Sequence, residues 1–259
     1  MHNPSVVIDS LPESVERYRS GYAVVAVDVI RATTTLATGV ALGRRCYVAC
    51  SVADALARLT ELAPERALLV GEVGGDMPQG FDMTNSPAAL ALRWDIERPM
   101  ILLSSSGTRL VSNARMCETA YIACFRNYAA LAAHIAGRHS RVAVIGAGTR
   151  NEFREEDQMC CAWIAESLLN AGYVAQDAAT RKMVARWSGA RPEDCRMSKS
   201  VAYLTRSNQL QDLDFILSHV NDLDATFTIE GHEIVQAQVC EAAQAVPSGT
   251  SALSRFAPA

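Results

Sequence analysis

Residues 26–35, AVDVIRATTT, bring a carboxylate, a guanidinium and three hydroxyl groups close together in the chain. The small apolar residues predict a buried strand that ends at Asp28, and the threonines at 33–35 predict the first turn of a helix. Hydroxyl and N–H groups at a helix N-terminus bind phosphate-like anions. An arginine such as Arg31 holds anionic oxygens through two parallel hydrogen bonds, and carboxylates at neighbouring strand ends ligate Mg²⁺. These residue types in this order point to metal-assisted phosphoryl chemistry.

Three further predicted strands also end in acids or in loops of hydroxyl residues and glycines. Gly71 and Glu72 follow ALLV, residues 104–108 follow MILL, and residues 146–149 follow VAVI. In an open α/β sheet, ligands bind outside the carboxyl ends of the strands. We therefore expect these three ends and Asp28 to form one site.

Each of these features also has a simpler structural interpretation. Asp28 could cap the helix that follows it, and the threonines could be an ordinary helix start. Glu156 and Asp157 fall in a first helical turn, where acidic residues stabilise the helix dipole. The loops SSSGT and GAGT are common strand-to-helix turns, and GAGTRNEF lacks the third glycine of a dinucleotide-binding loop. These interpretations leave unexplained why four such ends occur in one predicted sheet.

From about residue 20 to residue 170, the chain alternates short apolar runs with helical patterns. The runs are YAVVAVDV, RCYVAC, RALLVGE, MILLSSS, AYIAC and RVAVIGAG. Such short, mostly non-alternating runs are typical of parallel strands that are buried on both faces. Ser51, Ser86 and Asn127 are placed to begin helices, and the longest helix is predicted from about Phe153 to Asn170. The pattern predicts a three-layer α/β/α fold with a largely parallel, doubly wound sheet.

The pattern changes after residue 172, which we take as the end of a main α/β lobe formed by residues 1–172. Residues 173–240 are predicted to form a mostly helical segment and the terminal strands of a smaller C-terminal α/β lobe. These strands, in TFTIEGHEIVQA, flank Glu230 and Gly231 and are typical of a hairpin. The small residues and the proline in 241–259 predict a flexible tail.

Composition and charge exclude several classes of protein. The chain has 259 residues, a net charge of −4 and no run of Lys or Arg, so we expect no nucleic-acid partner. No apolar run approaches the ~20 residues of a membrane span, so we expect no membrane partner. The eight cysteines form no CxxC pair and lie mostly in apolar runs, which is typical of reduced cysteines. We therefore expect a cytoplasmic protein, and a homodimer is compatible with this sequence.

In their order along the chain, the blocks DVIRATTT, GEVGGDMPQGFDMTNSP, SSSGT and GAGTRNEFREEDQMCCA resemble the 2-phosphosulfolactate phosphatase family of coenzyme M biosynthesis. The resemblance covers about residues 20–170, and a weaker similarity continues through Ser198, Leu204 and Asp212 to the last strands. It implies an Mg²⁺-dependent phosphatase with an α/β/α architecture in two lobes. The implied substrate is a small anionic phosphomonoester, 2-phosphosulfolactate, which is hydrolysed to sulfolactate and phosphate.

The resemblance also implies which residues form the site. The implied catalytic residues are Asp28, Arg31, Glu156 and Asp157. The implied metal ligands are Asp28, Glu72, Asp82 and Asp157. The implied residues of the substrate and phosphate site are Thr33, Thr34, Gly74, Gly75, Asn85, Ser86, Gly107, Thr108, Gly148 and Thr149. Ser106, which follows the predicted strand MILL, is a further candidate for this site.

Two departures from the family pattern bear on function. Val73 stands where the family commonly has an arginine, and Ser106 stands where it commonly has an asparagine. Losing a cation from a site for a multiply charged anion affects the choice of substrate more than the reaction. The alternative function is a phosphate- or anion-binding relative that has lost or changed the hydrolytic activity, and the presence of Asp28, Glu72, Glu156 and Asp157 favours the phosphatase over it. A nucleotide-using enzyme of Rossmann type is the third candidate, and the missing glycine in GAGTRNEF disfavours it.

Overall fold

A ten-stranded sheet organises the protein, whose computed structural model describes residues 3–237. The strands are β1 (Ser5–Ser10), β2 (Ala23–Val27), β3 (Cys46–Ala49), β4 (Leu68–Gly71), β5 (Met100–Leu103), β6 (Thr119–Ala123), β7 (Arg141–Gly146), β8 (Val174–Ala175), β9 (Phe227–Glu230) and β10 (Glu233–Gln236). The helices are α1 (Ala32–Ala41), α2 (Val52–Glu61), α3 (Pro87–Ala91), α4 (Gly107–Ala114), α5 (Tyr128–Ile135), α6 (Glu155–Asn170), α7 (Ala178–Trp187), α8 (Lys199–Arg206) and α9 (Leu210–Ser218). Short 3-10 helices span Pro12–Tyr18, Ala63–Glu65 and Pro192–Cys195. The tail predicted at 241–259 lies outside the described residues.

The strands pair in the order β4-β5-β3-β10-β9-β6-β2-β7-β1-β8. Strands β3, β4 and β5 form one parallel half, and β1, β2, β6, β7 and β8 form the other. The antiparallel hairpin β9–β10 joins the halves, because β9 pairs antiparallel with β6 and β10 pairs antiparallel with β3. The predicted α/β fold with a largely parallel sheet is confirmed. Three antiparallel pairings lie between β3 and β6, so the strands of the two parallel halves run in opposite directions.

The carboxyl ends of the two halves nevertheless meet at one place. Five strand-to-strand steps separate β2 from β5. A twist of roughly 20–25° per step rotates one half by about 100° relative to the other. Helices α1 and α4 pack on the face that both halves share. An added Cβ atom on Gly107, at the start of α4, would collide with Oδ2 of Asp28, so the segment after β5 contacts the residue after β2.

Hydrophobic clusters on both faces of the sheet explain the near-continuous apolar runs. All five residues of β2 are buried. Two of them face the cluster that contains α1 and α4, and the other three face the cluster that contains α5 and α6. A third cluster covers the other face of β3–β5 with residues of α2. Parallel strands covered on both faces need apolar side chains on both.

The six strands predicted from apolar runs are β2–β7, and the predicted hairpin is β9–β10. Ser51 and Ser86 cap α2 and α3 as predicted, because each Oγ accepts an N–H of the first helical turn. Asn127 begins α5, but its Oδ1 accepts the N–H of Cys124 at 3.0 Å and so fastens the end of β6. Strand β1 and the two-residue strand β8 are not among the strands predicted from the sequence.

Residues 173–237 extend the same sheet, since β8 pairs with β1 and the hairpin lies between the two halves. Helices α8 and α9 pack together in a small cluster formed by Val201, Leu204 and Leu213, with Ile30 against it. The lobe boundary at residue 172 stays a prediction. Within residues 3–237, no helix has the length and apolar character needed to cross a membrane.

Candidate active site

A cavity of about 790 Å³ lies where the two halves of the sheet meet. Residues that follow β2, β4, β5 and β7 line it, together with residues of α8. The structure thus brings the four polar strand ends together. The predicted site residues in the lining are Asp28, Arg31, Glu72, Gly74, Gly75, Asn85, Ser106 and Thr149. The predicted site residues outside the lining are Thr33, Thr34, Asp82, Ser86, Gly107, Thr108, Gly148, Glu156 and Asp157.

Asp28 is buried at the floor of the cavity, directly after β2. Its Oδ1 accepts the N–H of Ala32 at 3.2 Å, and its own N–H donates to Oγ1 of Thr33 at 2.9 Å. Its Oδ2 lies against Gly107, where any Cβ atom would collide with it. The lack of a side chain at position 107 therefore lets Asp28 reach the N-terminus of α4.

The pKa of Asp28 is raised to about 7, chiefly because the carboxyl group is buried. The negative charges of Glu72 and Glu156 also raise this pKa. The N–H of Ala32 and the positive charge of Arg31 lower it, but burial outweighs them. Asp28 therefore titrates near neutral pH, where a carboxyl group can change its charge during a reaction.

Asp157, in the first turn of α6, lies behind Asp28. Its Oδ1 accepts the N–H of Val29 at 2.8 Å, and its Oδ2 accepts the N–H of Gly148 at 3.4 Å. Burial raises the pKa of Asp157 well above its usual range, and the charges of Asp28 and Glu156 add to this rise. The side chain of Asp157 fastens the loops after β2 and β7 to each other.

Among the buried side-chain oxygens without a hydrogen-bond partner in residues 3–237, two belong to predicted site residues, namely Oδ1 of Asn85 and Oε2 of Glu156. Asn85 lines the cavity and is only 3% exposed. Burial raises the pKa of Glu156, and the hydroxyl groups of Ser200 and Ser198 oppose this rise. A buried acceptor without a donor destabilises the protein. The unpartnered oxygen of Asn85 therefore indicates that a ligand in the cavity supplies a hydrogen-bond donor or a cation.

Arg31 is 5% exposed and is held by residues of the C-terminal segment. Its Nη1 donates to Oδ2 of Asp212 at 2.6 Å and also to Oε1 of Gln209. Asp212 is fully buried on α9 and accepts the hydroxyl of Ser86 at 2.5 Å. The hydrogen bonds among the described residues use only Nη1 of Arg31, which leaves Nε and Nη2 for a ligand. Ser86 contributes to the site through Asp212, because it caps α3 and does not line the cavity.

The hydroxyl groups of Thr33 and Thr34 turn away from the cavity, toward backbone carbonyl oxygens. Oγ1 of Thr33 lies 2.7 Å from the carbonyl oxygen of Asp28. Oγ1 of Thr34 donates to the carbonyl oxygen of Val29 at 2.8 Å. Thr108 makes the same contact at the end of β5, with a carbonyl oxygen four residues earlier at 2.9 Å. These hydroxyl groups close strand-to-helix turns. The threonines are therefore an ordinary helix start, which is the simpler of the two interpretations of their sequence.

Glu72 organises the loop after β4. Its Oε1 accepts the N–H of Ser105 at 2.7 Å, and its Oε2 accepts the N–H of Gly75 at 2.7 Å. The N–H of Gly74 donates to Oγ of Ser105 at 2.8 Å. Gly74 and Gly75, two of the four glycines predicted for the phosphate site, thus have protein partners for their N–H groups. Gly75 has a positive φ of 104° and lies under the ring of Tyr203, whose hydroxyl donates to its carbonyl oxygen at 2.5 Å.

The structure does not bring Asp82 to the cavity. Its carboxylate is exposed, accepts the N–H of Leu69 at 2.8 Å and lies 3.8 Å from Arg98. Gly148 shapes the turn after β7 with a φ of 58°, and Thr149 lines the cavity. Among the residues that the structure describes, no three His, Cys, Asp or Glu side chains are grouped as a metal site. The predicted set of four carboxylate ligands is therefore not assembled.

Five cationic side chains that are not among the predicted site residues also line the cavity. They are Arg109, Arg150, Arg154, Lys199 and Arg206. Arg109 and Arg150 directly follow the SSSGT and GAGT loops, and Arg154 follows a few residues later, so their nearness to strand ends is a signal for these three cations. Lys199 and Arg206 lie on α8, far from any predicted strand end, and no local signal marks them. Val73, which replaces the usual arginine of the family, is 53% exposed and lies outside the lining.

Comparison with known proteins identifies the family of this chain. The profile of the family described as 2-phosphosulpholactate phosphatase matches residues 9–234. A probable 2-phosphosulfolactate phosphatase from Synechococcus sp. (strain WH7803) is 28% identical over 214 residues, which are 81% of this chain and 87% of that protein. Proteins of the same name from Synechococcus sp. (strain CC9605) and Pseudothermotoga lettingae are 31% and 35% identical, over 63% and 61% of this chain and 68% and 66% of their own lengths. The chain belongs to the 2-phosphosulpholactate phosphatase family.

Proposed function

We propose that this cavity hydrolyses 2-phosphosulfolactate to sulfolactate and phosphate. Membership of the family makes the chain a phosphoric monoester hydrolase. The observation that carries the proposal is the convergence of four polar strand ends on one cavity, with Asp28 and Arg31 buried at its floor. Such a floor suits a small anionic phosphomonoester, because an arginine and a helix N-terminus both stabilise phosphoryl oxygens.

Arg31 supports a position for the phosphoryl group at the floor. Asp212 fixes one end of the guanidinium through Nη1, and the planar group can then donate through Nε and Nη2 to two phosphoryl oxygens. The N-terminus of α4 borders the same floor at Ser106, where N–H groups and the helix dipole favour negative charge. The amide of Asn85, which also lines the cavity, would be a further polar group for the phosphoryl group to contact.

Mg²⁺ is the cofactor that we propose, and the oxygen atoms at the floor fit it. Oδ2 of Asp28 has no hydrogen bond among the described residues, and Oδ1 of Asn85 is buried without a partner. Mg²⁺ in phosphoryl-transfer sites uses one or two carboxylates and completes its shell with water and substrate oxygens, so it needs no preassembled cluster of three acids. Asp28 and Asn85 would hold it, with Glu72 nearby. When bound, Mg²⁺ would neutralise charge on the phosphoryl oxygens.

We favour direct attack of water on phosphorus, with cleavage of the bond between phosphorus and the ester oxygen; one proton of the water ends on the departing ester oxygen and the other on phosphate. A nucleophile motif with two aspartates would place its second acid at position 30, and Ile30 stands there. Glu156 and Asp157 lie outside the lining, and Asp157 fastens the loops after β2 and β7 from there. Direct attack inverts a chiral phosphorus centre. Retention, or a trapped phosphoenzyme that disappears in Asp28→Asn, would contradict this mechanism.

The alternative function is a relative that binds anions without hydrolysing them. Phosphate release from 2-phosphosulfolactate, phospholactate and p-nitrophenyl phosphate, with Mg²⁺ and with EDTA, separates the two. We expect the fastest release from 2-phosphosulfolactate, loss of release in EDTA and recovery with Mg²⁺. Binding without release would favour the alternative, and full activity in EDTA would remove the metal from the mechanism. A place in coenzyme M biosynthesis, a cytoplasmic location and a homodimer stay predictions from the sequence.

A further inference from the structure

The charges that line the cavity are unevenly distributed between its floor and its open side. Its cations are Arg31, Arg109, Arg150, Arg154, Lys199 and Arg206, and its acids are Glu13, Asp28, Glu72 and Glu152. Asp28 and Arg31, at 8% and 5% exposure, form the buried floor. Arg150 and Arg206 are exposed, so they border the cavity on the solvent side.

Four of these cations already have carboxylate partners. The pairs are Arg31 with Asp212 at 2.6 Å, Arg109 with Glu13 at 2.7 Å, Arg154 with Glu152 at 3.0 Å and Lys199 with Glu152 at 2.6 Å. The side chains of Arg150 and Arg206 have no ion pair or hydrogen bond with any residue in 3–237. The charge of Arg150 does lower the pKa of Glu152, but no contact joins the two side chains. Two guanidinium groups on the open side are therefore available to a ligand.

The two arginines lie on elements that are tied together across the cavity. Arg150 is in the loop between β7 and α6, and Arg206 is the last residue of α8. The ion pair between Glu152 and Lys199 joins this loop to the start of α8. The hydroxyl of Tyr203 joins the same helix to the loop after β4. These contacts hold both arginines against one ligand space.

We propose that Arg150 and Arg206 bind the carboxylate and sulfonate groups of the substrate while its phosphoryl group lies at the floor. This inference rests on the proposed function, and it adds the residues that select the substrate. The substrate carries two single negative charges besides its phosphoryl group, and two unpaired guanidinium groups match them. Guanidinium groups bind planar carboxylates and sulfonate oxygens through charge-assisted hydrogen bonds. The pair would supply the positive charge that Val73 does not.

The kinetic test compares Arg150→Gln, Arg206→Gln and the double variant with wild-type protein. For 2-phosphosulfolactate, we expect kcat/KM to fall roughly 10-fold in each single variant and roughly 10²-fold in the double variant, mainly through KM. For p-nitrophenyl phosphate, which lacks both anionic groups, we expect changes below about threefold. Arg196→Gln is the matched control, since Arg196 is exposed and lies outside the lining. Equal losses with both substrates would overturn the proposal.

A binding test separates this proposal from the proposed function. Sulfolactate carries the carboxylate and the sulfonate but no phosphoryl group, so calorimetry with sulfolactate probes the open side alone. We expect it to bind the wild-type protein and Arg196→Gln equally and the double variant at least roughly 10-fold more weakly. Absent binding to wild type, or unchanged binding to the double variant, would overturn the inference. If 2-phosphosulfolactate is not hydrolysed, the proposed function fails, and the sulfolactate measurement still decides the role of the two arginines.

Discussion

Asp28 and Arg31 lie together at the floor of the cavity with opposite charges and different supports. Backbone groups and the missing side chain of Gly107 position Asp28, whereas a carboxylate 181 residues away positions Arg31. The floor therefore combines a local strand-to-helix turn with a long-range ion pair. Substitutions at these two residues should change the reaction more than the fold.

Replacing Arg31 with lysine tests whether a planar guanidinium is needed. Lysine keeps the charge but cannot bind Asp212 and two phosphoryl oxygens at once. We expect Arg31→Lys to lower kcat/KM for 2-phosphosulfolactate by roughly 10²-fold or more, the loss of ~2.7 kcal/mol of transition-state stabilisation. Arg196→Lys, outside the cavity, should leave kcat/KM unchanged. If Arg31→Lys lowers kcat/KM by less than about threefold, the role of Arg31 is purely structural.

The raised pKa of Asp28 predicts a pH-dependent stability in metal-free protein. Its pKa is about 7 in the folded protein and about 4 in an unfolded chain, so the folded state binds the proton more tightly. The free energy of unfolding should therefore fall as the pH rises from about 4 to about 7. Asp28→Asn removes this loss, so in EDTA it should melt above wild type at pH 8 and close to wild type at pH 4.

The control for this pH series is Asp76→Asn, an exposed acid outside the cavity. Its Tm should differ from wild type by the same small amount at every pH. Thermal melts between pH 4 and pH 8 provide the measurement. If the difference in Tm between Asp28→Asn and wild type does not grow with pH, Asp28 is ionised at little cost in free energy in the folded protein.

Asp28 and Arg31 could be identified from the sequence because residue types at strand ends carry that information. The threonines at 33–35 could not be resolved, because a hydroxyl at a helix start can face either a ligand or a backbone carbonyl. Asp212 belongs to the weaker part of the similarity to the family, which does not show that Asp212 pairs with Arg31. No local pattern shows that a helix near the C-terminus provides the partner of Arg31.

At the scale of elements, α9 completes the site by bringing Asp212 under Arg31 and beside the start of α3. The carboxylate accepts hydrogen bonds from Arg31, from Ser86 and from the N–H of Ala88. It therefore connects three elements at a fully buried position. Asp212 acts on the substrate only through Arg31, so it is a positioning residue.

The variant Asp212→Asn removes the charge but keeps the shape of the side chain. An unpaired buried Arg31 should lower stability by about 3–5 kcal/mol, as seen when one partner of a buried ion pair is removed. Inorganic phosphate should then raise the Tm of this variant more than that of wild type, because it supplies a counter-charge for Arg31. If Asp212 only stabilised the fold, inorganic phosphate would raise the Tm of Asp212→Asn and of wild type by the same amount.

The matched control on the same helix is Asp214→Asn, because Asp214 is exposed and contacts neither Arg31 nor Ser86 through its side chain. Both its stability and its response to phosphate should match those of wild type. Urea unfolding and thermal melts with and without phosphate provide the two readouts. Equal destabilisation by both substitutions would show that the charge on α9 in general, rather than the pair with Arg31, matters.

Over the whole molecule, the hairpin β9–β10 holds the two parallel halves in one sheet. Its buried side chains Phe227 and Ile234 belong to the cluster that contains α1 and α4. The cavity lies between the halves, so its geometry depends on this join. The sequence predicted the hairpin from its turn, but turn chemistry is local and says nothing about which distant strands the hairpin pairs with. The opposite senses of the two halves could not be predicted for the same reason.

Phe227→Ala should loosen the join between the halves. Removing a fully buried phenylalanine costs about 3–5 kcal/mol. We expect this loss in urea unfolding, together with a fall in phosphatase activity, since the floor draws on both halves. Glu230→Ala, at the exposed end of the same strand, should change stability by less than about 0.5 kcal/mol. A loss below about 1 kcal/mol in Phe227→Ala would contradict the structural role of the hairpin.

Hydrolysis of 2-phosphosulfolactate in this cavity should depend on Asp28. The decisive measurement is phosphate release from 2-phosphosulfolactate in Mg²⁺, compared between wild type, Asp28→Asn and the exposed control Asp76→Asn. We expect release by wild type and by Asp76→Asn at rates within about twofold of each other. Release by Asp28→Asn should be slower by a factor of roughly 10³ or more, because several kcal/mol of charge stabilisation are lost. No release by the wild type, or release by Asp28→Asn at the wild-type rate, would show that the cavity does not work in this way.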